Sequence, residues 1–457
     1  MEALTRNWVQ AKDTSCFTVM VGRRRIGKTA LILESLKKQR GLYLFVSRQT
    51  EPLLCAQFQR EAEKALGVRI FGVISRFRDI FEQLLIFAEK EPYTLVIDEF
   101  QELERVNPSI FSEIQNLWDQ YKDRVKINFI AAGSIYSMMM KIFEHSKEPL
   151  FGRLTARITL RPFRLSVMKN ILRDYNPNYT AEDLLCFYMI SGGVPKYIEL
   201  LMDSGAVTAG KMLDAVTLPD SPFLNEGKEL LVGEFGREYG TYFSILQLIA
   251  QGKNTQSEID SIVGKNTGTY LANLEKEYSL ITRVKPLFSK PESRNGRWKI
   301  ADQYLRFWFR FIHPNQSLIE TGQLDTLLRV IKKNYETYSG FVLEDYFREK
   351  ILETNRSLET SKSLETGGSP ETDRSLEQAA YQPQGSVTAV GSYWDKRGEN
   401  EIDLIALNDL DRTAVVAEIK RKAKKINLSV LVAKAEKLEK ELAGYQVEYK
   451  GWSMDDM

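Results

Sequence analysis

Four short apolar runs divide the first third of the chain. They begin at Phe17, at Gly41, shortly before Asp98 and shortly before Ser134, in the segments FTVMV, GLYLFVS, TLVID and INFIAAGS. Short apolar runs bounded by turn signals are typical of strands buried on both faces, and the stretch after the first run has helical spacing. The pattern predicts an α/β core over residues 1–165, with a parallel sheet flanked by helices.

The loop after the first strand matches the phosphate-binding pattern G-x-x-x-x-G-K-[ST]. The glycines of this pattern let backbone N–H groups surround phosphate oxygens, and the start of the next helix adds its positive end. We expect Lys28 to reach the β- and γ-phosphates and Thr29 to ligate magnesium. The predicted nucleotide-binding residues of this segment are Gly22, Arg23, Arg24, Arg25, Ile26, Gly27, Lys28, Thr29 and Ala30.

Two acidic residues, Asp98 and Glu99, end the third apolar run. A buried strand that ends in two carboxylates is unfavourable unless a cation meets them. We predict that Asp98 belongs to the magnesium shell and that Glu99 polarises an attacking water. The simpler alternative is a strand that ends at an acidic turn. Ser134, which ends the next apolar run, is predicted to sense the γ-phosphate through its hydroxyl group.

Two further segments contain basic residues that are candidates for contact with a nucleotide. The segment FGRLTARITLRPF contains Arg153, Arg157 and Arg161, and an arginine finger stabilises charge on a transferred phosphate. Arg153 is the first candidate and Arg157 the second, although a lone arginine is more often a solvated surface group. In SGGVPKYIELL, Lys196 begins a predicted helix and is either a lid residue near the nucleotide or a solvated lysine.

Residues 236–315 combine helical and alternating patterns. Phe243, Leu246 and Ile249, and later Leu271 and Leu274, have helical spacing, and two alternating segments follow around a glycine-containing turn. This order predicts a winged helix-turn-helix whose third helix enters a major groove. The predicted base contacts are Thr267, Thr269, Tyr270 and Asn273. The predicted phosphate contacts are Arg283, Lys285, Lys290, Arg294, Arg297 and Lys299. The alternative is a domain that packs as a lid or binds protein.

Two stretches of biased composition lie on either side of residue 330. ADQYLRFWFRFIHPN, from Ala301, is dense in aromatic residues, which predicts buried core rather than a base-stacking platform. RSLET, KSLET, GSPET and RSLEQ recur every six residues from Arg356. This polar repeat has few apolar anchors, so it predicts a disordered insertion. A phosphorylated or partner-binding tether is the alternative.

The tail segment EIDLIALNDLDRTAVVAEIKR, from Glu401, predicts two buried strands joined by a polar turn. Residues i and i+2 of a strand share a face, so Glu418 and Lys420 point together. Asp403 on the neighbouring strand and Glu344 on an amphipathic helix can approach them. This D…ExK pattern resembles that of PD-(D/E)XK nucleases, in which carboxylates, here Asp403 and Glu418, hold magnesium and the lysine stabilises charge. The alternative is a solvated sheet edge with a Glu–Lys pair.

The amino-acid composition limits which partners and which metal ions the chain is expected to bind. The net charge is +2, so no global field favours nucleic acid or a membrane, and no apolar run approaches the roughly 18–20 residues that span a bilayer. The three cysteines Cys16, Cys55 and Cys186 are dispersed, which fits reduced thiols in the cytoplasm. With only His145 and His313 present, a zinc site is disfavoured, and metal chemistry would use carboxylates and phosphates with magnesium or manganese.

Together these segments resemble archaeal and bacterial P-loop ATPases of the AAA-related STAND class, in the branch with a C-terminal nuclease-like domain of unknown function. The resemblance rests on GRRRIGKT, LVIDEFQEL, AAGS, FGRLTARI, SGGVPKY and the tail segment. It implies ATP and Mg²⁺ as cofactors. The family usually opens with a short strand and an Arg–Glu pair ahead of a helix, whereas MEALTRNW begins inside that helix. Either the start is truncated or the base contacts come from elsewhere, so adenine preference follows from the resemblance alone.

The predicted fold class is multidomain. An α/β P-loop NTPase core (1–165) is followed by a helical lid (166–235), a winged helix-turn-helix (236–315) and an α/β restriction-endonuclease-like domain (316–457), with the repeat insertion at about 354–380. The predicted function is cytoplasmic ATP hydrolysis that switches an action of the tail on DNA or RNA, in a chain that can form a homo-oligomer. The alternative is a regulatory STAND-type switch or a transcription regulator whose tail binds without cleaving.

Overall fold

A computed structural model describes residues 1–235, 239–290, 292–293, 295–365 and 386–457. The chain forms two compact units. The first comprises Met1–Pro162 together with Val194–Lys196 and Lys276–Ser279. The second comprises Phe163–Gly193, Tyr197–Glu275 and Leu280–Met457.

The first unit is built on a five-stranded parallel sheet with the strand order β2-β3-β4-β1-β5. The strands are β1 (Cys16–Val21), β2 (Gly41–Phe45), β3 (Tyr93–Asp98), β4 (Ile127–Gly133) and β5 (Ala156–Thr159). The helices are α1 (Glu2–Gln10), α2 (Lys28–Leu36), α3 (Glu51–Leu66), α4 (Phe77–Lys90), α5 (Leu103–Val106), α6 (Ile110–Tyr121) and α7 (Tyr136–Glu144). This architecture is the predicted α/β core.

The apolar runs form the centre of this sheet because helices cover both of its faces. Every residue of β1, β3 and β4 is buried. The ring of Phe17 lies 4.4 Å from that of Phe129 on β4 and 5.1 Å from that of Trp118 on α6. Since β3, β4 and β1 are neighbours and parallel, their carboxyl ends lie at one edge, where ligands bind in sheets of this type.

The second unit begins with helices and continues with a small hairpin. Its helices up to the hairpin are α8 (Leu165–Tyr175), α9 (Ala181–Ser191), α10 (Pro195–Asp203), α11 (Ala209–Val216), α12 (Pro222–Phe235), α13 (Tyr239–Ala250), α14 (Gln256–Val263) and α15 (Gly268–Lys276). The start of α10 and the end of α15 belong to the first unit. Strands β6 (Ile281–Val284) and β7 (Arg297–Ile300) pair antiparallel. Three helices and a hairpin thus occur in the order that the sequence predicts.

The aromatic stretch is core, as predicted. It forms α16 (Gln303–Phe307) and a π-helical turn (Trp308–Ile312), and its aromatic side chains are buried. Tyr304 donates a hydrogen bond to the carbonyl oxygen of Phe223 at 2.8 Å, and the indole N–H of Trp308 donates to that of Leu224 at 3.0 Å. These bonds satisfy the polar ends of the rings inside the core.

The tail is a four-stranded mixed sheet with helices. Helices α17 (Gln316–Glu320) and α18 (Leu324–Glu365) precede β8 (Ala389–Trp394), β9 (Glu401–Asn408) and β10 (Thr413–Ile419). Helix α19 (Leu428–Glu436) and β11 (Gln446–Trp452) follow. The strand order is β11-β10-β9-β8, and only the β10–β11 pair is parallel in this sheet of the described residues. Ile405, Val416 and Leu431 are among the residues of its core.

Two features bear on the predicted domains, whose boundaries stay predictions. The regions predicted as lid, winged helix and tail share one compact unit, because side chains connect them: Tyr188 on α9 donates to Glu349 on α18 at 2.7 Å. The predicted disordered insertion begins at about 354, yet α18 continues to Glu365. Leu, Glu, Lys and Arg favour helix, which accounts for the extension. The rest of the repeat, 366–385, lies outside the described residues.

Candidate functional site: a P-loop edge and an acidic–basic tail site

The loop between β1 and α2 has the backbone of a phosphate-binding loop. Gly27 adopts φ +84°, a left-handed conformation that glycine accepts readily. A Cβ on Gly22 would lie 2.9 Å from the side chain of Ile26, so a larger residue would displace the loop. The buried ammonium group of Lys28 donates to the carbonyl oxygens of Gly22 (2.5 Å) and Arg23 (3.1 Å). Two carbonyl oxygens of the loop therefore hold the ammonium group of Lys28 in place.

The carboxylate of Asp98 joins the loop to the neighbouring strands. Thr29 donates its hydroxyl hydrogen to Oδ2 of Asp98 at 3.0 Å, and Tyr43 on β2 donates to the same oxygen at 2.7 Å. Burial and the hydrogen bond to Asp98 raise the pKa of Tyr43, so its hydroxyl stays a donor. A hydroxyl and a carboxylate in contact are the oxygen ligands that Mg²⁺ prefers. Thr29 and Asp98 therefore fit the metal that the motif implies.

The carboxylate of Glu99 is oriented by two polar side chains. Ser134, just after β4, donates to Oε2 of Glu99 at 2.8 Å, and the amide group of Gln101 donates to the same oxygen. Glu99 itself has φ +54°, so the chain turns sharply after β3. The structure brings Glu99 and Ser134 together. Tyr43 and Gln101 were missed, because neither belongs to a motif; the only signal was that Gln101 follows the acidic pair by two residues.

The backbone at Lys196 lies beside the P-loop within the first unit. Its amide N–H donates to the carbonyl oxygen of Arg25 at 3.4 Å, and a Cβ on Gly27 would lie 3.9 Å from Pro195. Arg23 donates to the carbonyl oxygen of Ser279. The other predicted loop residues at the surface are Arg24, Arg25 and Ala30. The backbone of Lys196 is thus near the P-loop, and a contact of its side chain with nucleotide stays a prediction.

The two candidate arginine fingers are held by neighbours in the first unit. Arg153 donates to Asp119 at 2.8 Å and to the carbonyl oxygen of Pro149 at 2.8 Å. Arg157, on β5, forms an ion pair with Glu144. Neither contact involves the P-loop edge, so the role of Arg153 as a finger stays a prediction that requires its release from Asp119.

The second unit brings the four predicted tail residues together. Pairing of Leu404 with Ala417 places Asp403 on β9 opposite Glu418 on β10. Oδ2 of Asp403 accepts from the Lys420 ammonium at 2.8 Å, and Lys420 lies 3.6 Å from Oε1 of Glu418. The lysine therefore bridges the two carboxylates.

The charges of this site are strongly coupled. Burial, followed by the charges of Asp403 and Asp345, raises the pKa of Glu344 on α18 to about 8. Burial lowers the pKa of Lys420, but its hydrogen bond to Asp403 and the charges of Glu418 and Glu344 outweigh burial and raise it. Glu344 is thus largely protonated at neutral pH, and Lys420 is charged. In the described part of the chain, no three acidic, histidine or cysteine side chains form a metal-binding group.

Asp345, which the sequence analysis missed, is the centre of a buried charge cluster beside this site. It accepts from Arg306 at 2.5 Å and Arg348 at 3.2 Å, and it pairs with Lys299. Burial opposes ionisation, but these three cations hold the pKa of Asp345 well below its usual range. The signal available in the sequence was the pair Asp345 and Arg348, three residues apart on a helix.

Two of the four predicted base contacts, Thr267 and Asn273, form hydrogen bonds within the three-helix segment. Thr267 is fully buried and donates to Asp260 at 2.6 Å, so the expectation that it contacts a base is wrong. Asn273 donates to Tyr242 at 3.1 Å. Thr269 is exposed. Of the predicted phosphate contacts, Lys299 pairs with Asp345, Arg297 with Glu401 at 2.6 Å, and Arg294 lies outside the described residues.

Comparison with known proteins identifies the first unit. Residues 6–201 match a family described as an ATPase domain predominantly from Archaea, and residues 308–369 and 375–434 match archaeal and bacterial proteins of unknown function. An uncharacterized protein of Methanocaldococcus jannaschii is 31% identical over 409 residues, which cover 89% of this chain and 83% of that protein.

A solved structure agrees with the fold. The Walker-type ATPase of Pyrococcus abyssi superposes with a TM-score of 0.52 at 19% identity, over 67% of this chain and 95% of that one. None of the helices in the described ranges is both long and apolar enough to cross a membrane. Cys16, Cys55 and Cys186 are buried free thiols.

The chain belongs to the ATPase-domain family found predominantly in Archaea, and its first unit is a P-loop ATPase domain.

Proposed function

We propose that the first unit hydrolyses ATP with Mg²⁺ held by Thr29 and Asp98. The observation that supports this most directly is the 3.0 Å hydrogen bond between these two side chains at the edge of the sheet. Lys28 and the backbone amides of the loop bind the phosphates. Bound Mg²⁺ supplies charge stabilisation on the phosphate oxygens.

Glu99 is the proposed base for the attacking water. A carboxylate polarises water only if it is oriented, and Ser134 and Gln101 orient Glu99 through its Oε2. The Glu99→Gln variant should bind ATP with unchanged affinity and lose hydrolysis by about 10²-fold or more. Ser134→Ala should lose less, because Gln101 still contacts Glu99. Hydrolysis at the wild-type rate in Glu99→Gln would contradict this role.

The second proposed function is an ATP-switched action of the tail on the phosphodiester backbone of nucleic acid. It is supported by the convergence of Glu344, Asp403, Glu418 and Lys420, and by the burial of the central residues of β9 and β10. A site of two carboxylates and a lysine suits phosphate chemistry because one cation can stabilise charge on the phosphate while carboxylates hold another.

Asp403 and Glu418 are the residues that would hold a divalent metal in the tail. Their oxygens suit Mg²⁺, but Lys420 already bridges them, and Oε2 of Glu418 accepts from the backbone N–H of Asn427 at 2.9 Å. Metal binding therefore requires the ammonium group to leave Asp403. A bound metal would lower the pKa of its water ligand. Lys420 would then be available to the phosphate.

The bridge by Lys420 also supports the rival function, a tail that binds nucleic acid or a partner without cleaving. The two are separated by incubating labelled single-stranded and duplex DNA and RNA with the chain, in Mg²⁺ or Mn²⁺. Cleavage that is lost in Asp403→Ala while ATP hydrolysis persists would support a nuclease. Binding with no cleavage under either metal would support the binding module instead.

A further inference from the structure

A cavity of about 580 Å³ lies inside the second unit, next to the tail site. Its walls come from the hairpin β6–β7, from α16 and α18, and from β8 and β9. Glu344 and Asp403 are part of the lining. The volume lies in the range of pockets that hold small ligands, which is roughly 300–1,000 Å³.

The cavity has an excess of positive charge. Six basic and four acidic side chains line it. Among them, Lys299, Arg306 and Arg348 all pair with the single carboxylate of Asp345. Burial lowers the pKa of Lys299 to about 8, which is the mark of a cation held in a poorly solvated place. Cations that outnumber the buried carboxylates are stabilised by a bound anion.

A buried hydroxyl group adds a second, independent indication. Tyr338 lines the cavity and is 5% exposed, yet its hydroxyl group has no hydrogen-bond partner among the described residues. A buried polar group without a partner is unfavourable. The oxygen itself is enclosed by protein, so the Tyr338 side chain must turn toward the cavity before an anion can accept its hydrogen bond.

An exposed aromatic ring stands at the same wall. Phe341 lines the cavity and is 54% exposed. Tyr338, Phe341, Asp345 and Arg348 are separated by three, four and three residues on α18, so they lie on one face of the helix. A basic groove combined with an open aromatic ring is the arrangement that binds unpaired bases and their phosphates.

We propose that this cavity binds the terminal nucleotide of a single-stranded nucleic acid, with a phosphate on Arg306, Arg310 and Tyr338 and the base on Phe341. The choice of nucleic acid as the ligand rests on the proposed function, in which the tail acts on nucleic acid. It adds a strand end as the substrate class, because Glu344 and Asp403 line the same cavity.

The test measures binding alone. The parent for the test is the full-length Lys28→Ala protein, because its P-loop contributes little nucleotide binding. This protein is titrated into a dye-labelled single-stranded oligonucleotide that carries a terminal phosphate. The buffer contains EDTA, and the fluorescence anisotropy of the dye reports binding. The matched variants are Arg310→Gln, which changes a cavity residue, and Arg329→Gln, which removes an exposed arginine of α18 outside the lining. Arg310→Gln should weaken binding about tenfold and Arg329→Gln should not.

Two further variants separate ligand contact from folding. Tyr338→Phe should weaken binding several-fold without lowering Tm, because the hydroxyl group has no partner in the described protein. Phe341→Ala should reduce the preference for a single strand over the duplex of the same sequence.

Equal binding by Arg310→Gln and Arg329→Gln would overturn the proposal. So would displacement by a free mononucleotide at equal concentration, which would identify a small ligand instead. Because EDTA excludes cleavage, loss of nuclease activity alone would leave this result unaffected.

Discussion

At the residue scale, the nucleotide site depends on a few side chains that meet at one sheet edge. Lys28 is anchored by the carbonyl oxygens of Gly22 and Arg23, and Thr29 reaches Asp98 on another strand. These contacts hold the ammonium group of Lys28 and the Thr29–Asp98 pair, which is the proposed metal-binding pair, in place without a nucleotide. Preorganised groups of this kind lower the barrier of phosphoryl transfer because they need not reorient.

Replacement of Lys28 tests this arrangement. Lys28→Ala should reduce ATP hydrolysis by about 10²-fold or more, because the positive charge next to the phosphates is removed. The matched control is Lys37→Ala, which removes an exposed lysine at the end of the same helix, where it pairs with Glu34. Phosphate release should be normal in the control. Equal rates in the two variants would contradict the assignment.

Glu344 gives the tail site a dependence on pH. The folded protein holds the proton of this carboxyl group to about pH 8, whereas its ordinary pKa is 4.5. The folded state therefore binds more protons than the unfolded state between these values, and the contribution of Glu344 to stability falls as pH rises from 4.5 to 8.

The Glu344→Gln variant should lack this pH-dependent contribution to the free energy of unfolding. Urea titrations at a series of pH values should show the variant gaining stability relative to the parent protein as pH rises through that window. A difference between the two proteins that stays constant from pH 5 to 8 would show that Glu344 ionises with an ordinary pKa.

Site residues could be predicted from the sequence where a known motif lies at the carboxyl end of a strand of the parallel sheet. Asp98, Glu99 and Ser134 lie at the carboxyl ends of strands that share an edge, which accounts for the contacts of Asp98 with Thr29 and of Glu99 with Ser134. Asp345 could not be assigned in this way. Its partners come from β7, α16 and α18, and the packing of these elements is not encoded in a local pattern.

At the element scale, the start of α19 supports the tail site. Asn427 is the N-cap of this helix, and its side chain accepts from the backbone N–H of Val430 at 3.2 Å. The backbone N–H of Asn427 donates to Glu418. The helix start therefore positions a residue of the acidic–basic site on β10.

Removal of this cap should weaken the tail. Asn427→Ala should lower the free energy of unfolding by about 1 kcal/mol, since the N-terminal amides of α19 lose an acceptor. Ser429→Ala, two residues further along, is the control, because its hydroxyl group donates to Asn427 rather than accepting from the helix. Denaturant midpoints measure both, and equal midpoints for both variants would contradict the role of the cap.

Element boundaries were predicted where hydrophobic periodicity was strong. Strands β1 to β4, β9 and β10 and the three-helix segment occupy the expected stretches, whereas β5 and β11 were not predicted. The length of α18 could not be predicted, because a polar repeat carries no periodic apolar face, although its residues up to Glu365 have helical propensity.

At the scale of the whole molecule, the chain combines a P-loop ATPase unit with a unit that holds both a bridged acidic–basic site and a basic cavity. The α/β P-loop core of the first unit follows from the sequence pattern, whereas the restriction-endonuclease-like identity of the mixed sheet in the tail stays a prediction. The division into two units does not, because long-range contacts such as that between Arg421 and Glu182, at 2.5 Å, join regions that the pattern separates.

The central claim is that ATP at the P-loop controls chemistry at the tail site. The most direct measurement is cleavage of labelled single-stranded DNA and RNA in Mg²⁺, with and without ATP, by the parent protein, Lys28→Ala and Asp403→Ala. We expect ATP-dependent cleavage by the parent protein, no cleavage by Asp403→Ala despite normal ATP hydrolysis, and no response to ATP in Lys28→Ala. Cleavage that persists in Asp403→Ala, or ATP hydrolysis with no cleavage of any strand, would contradict it.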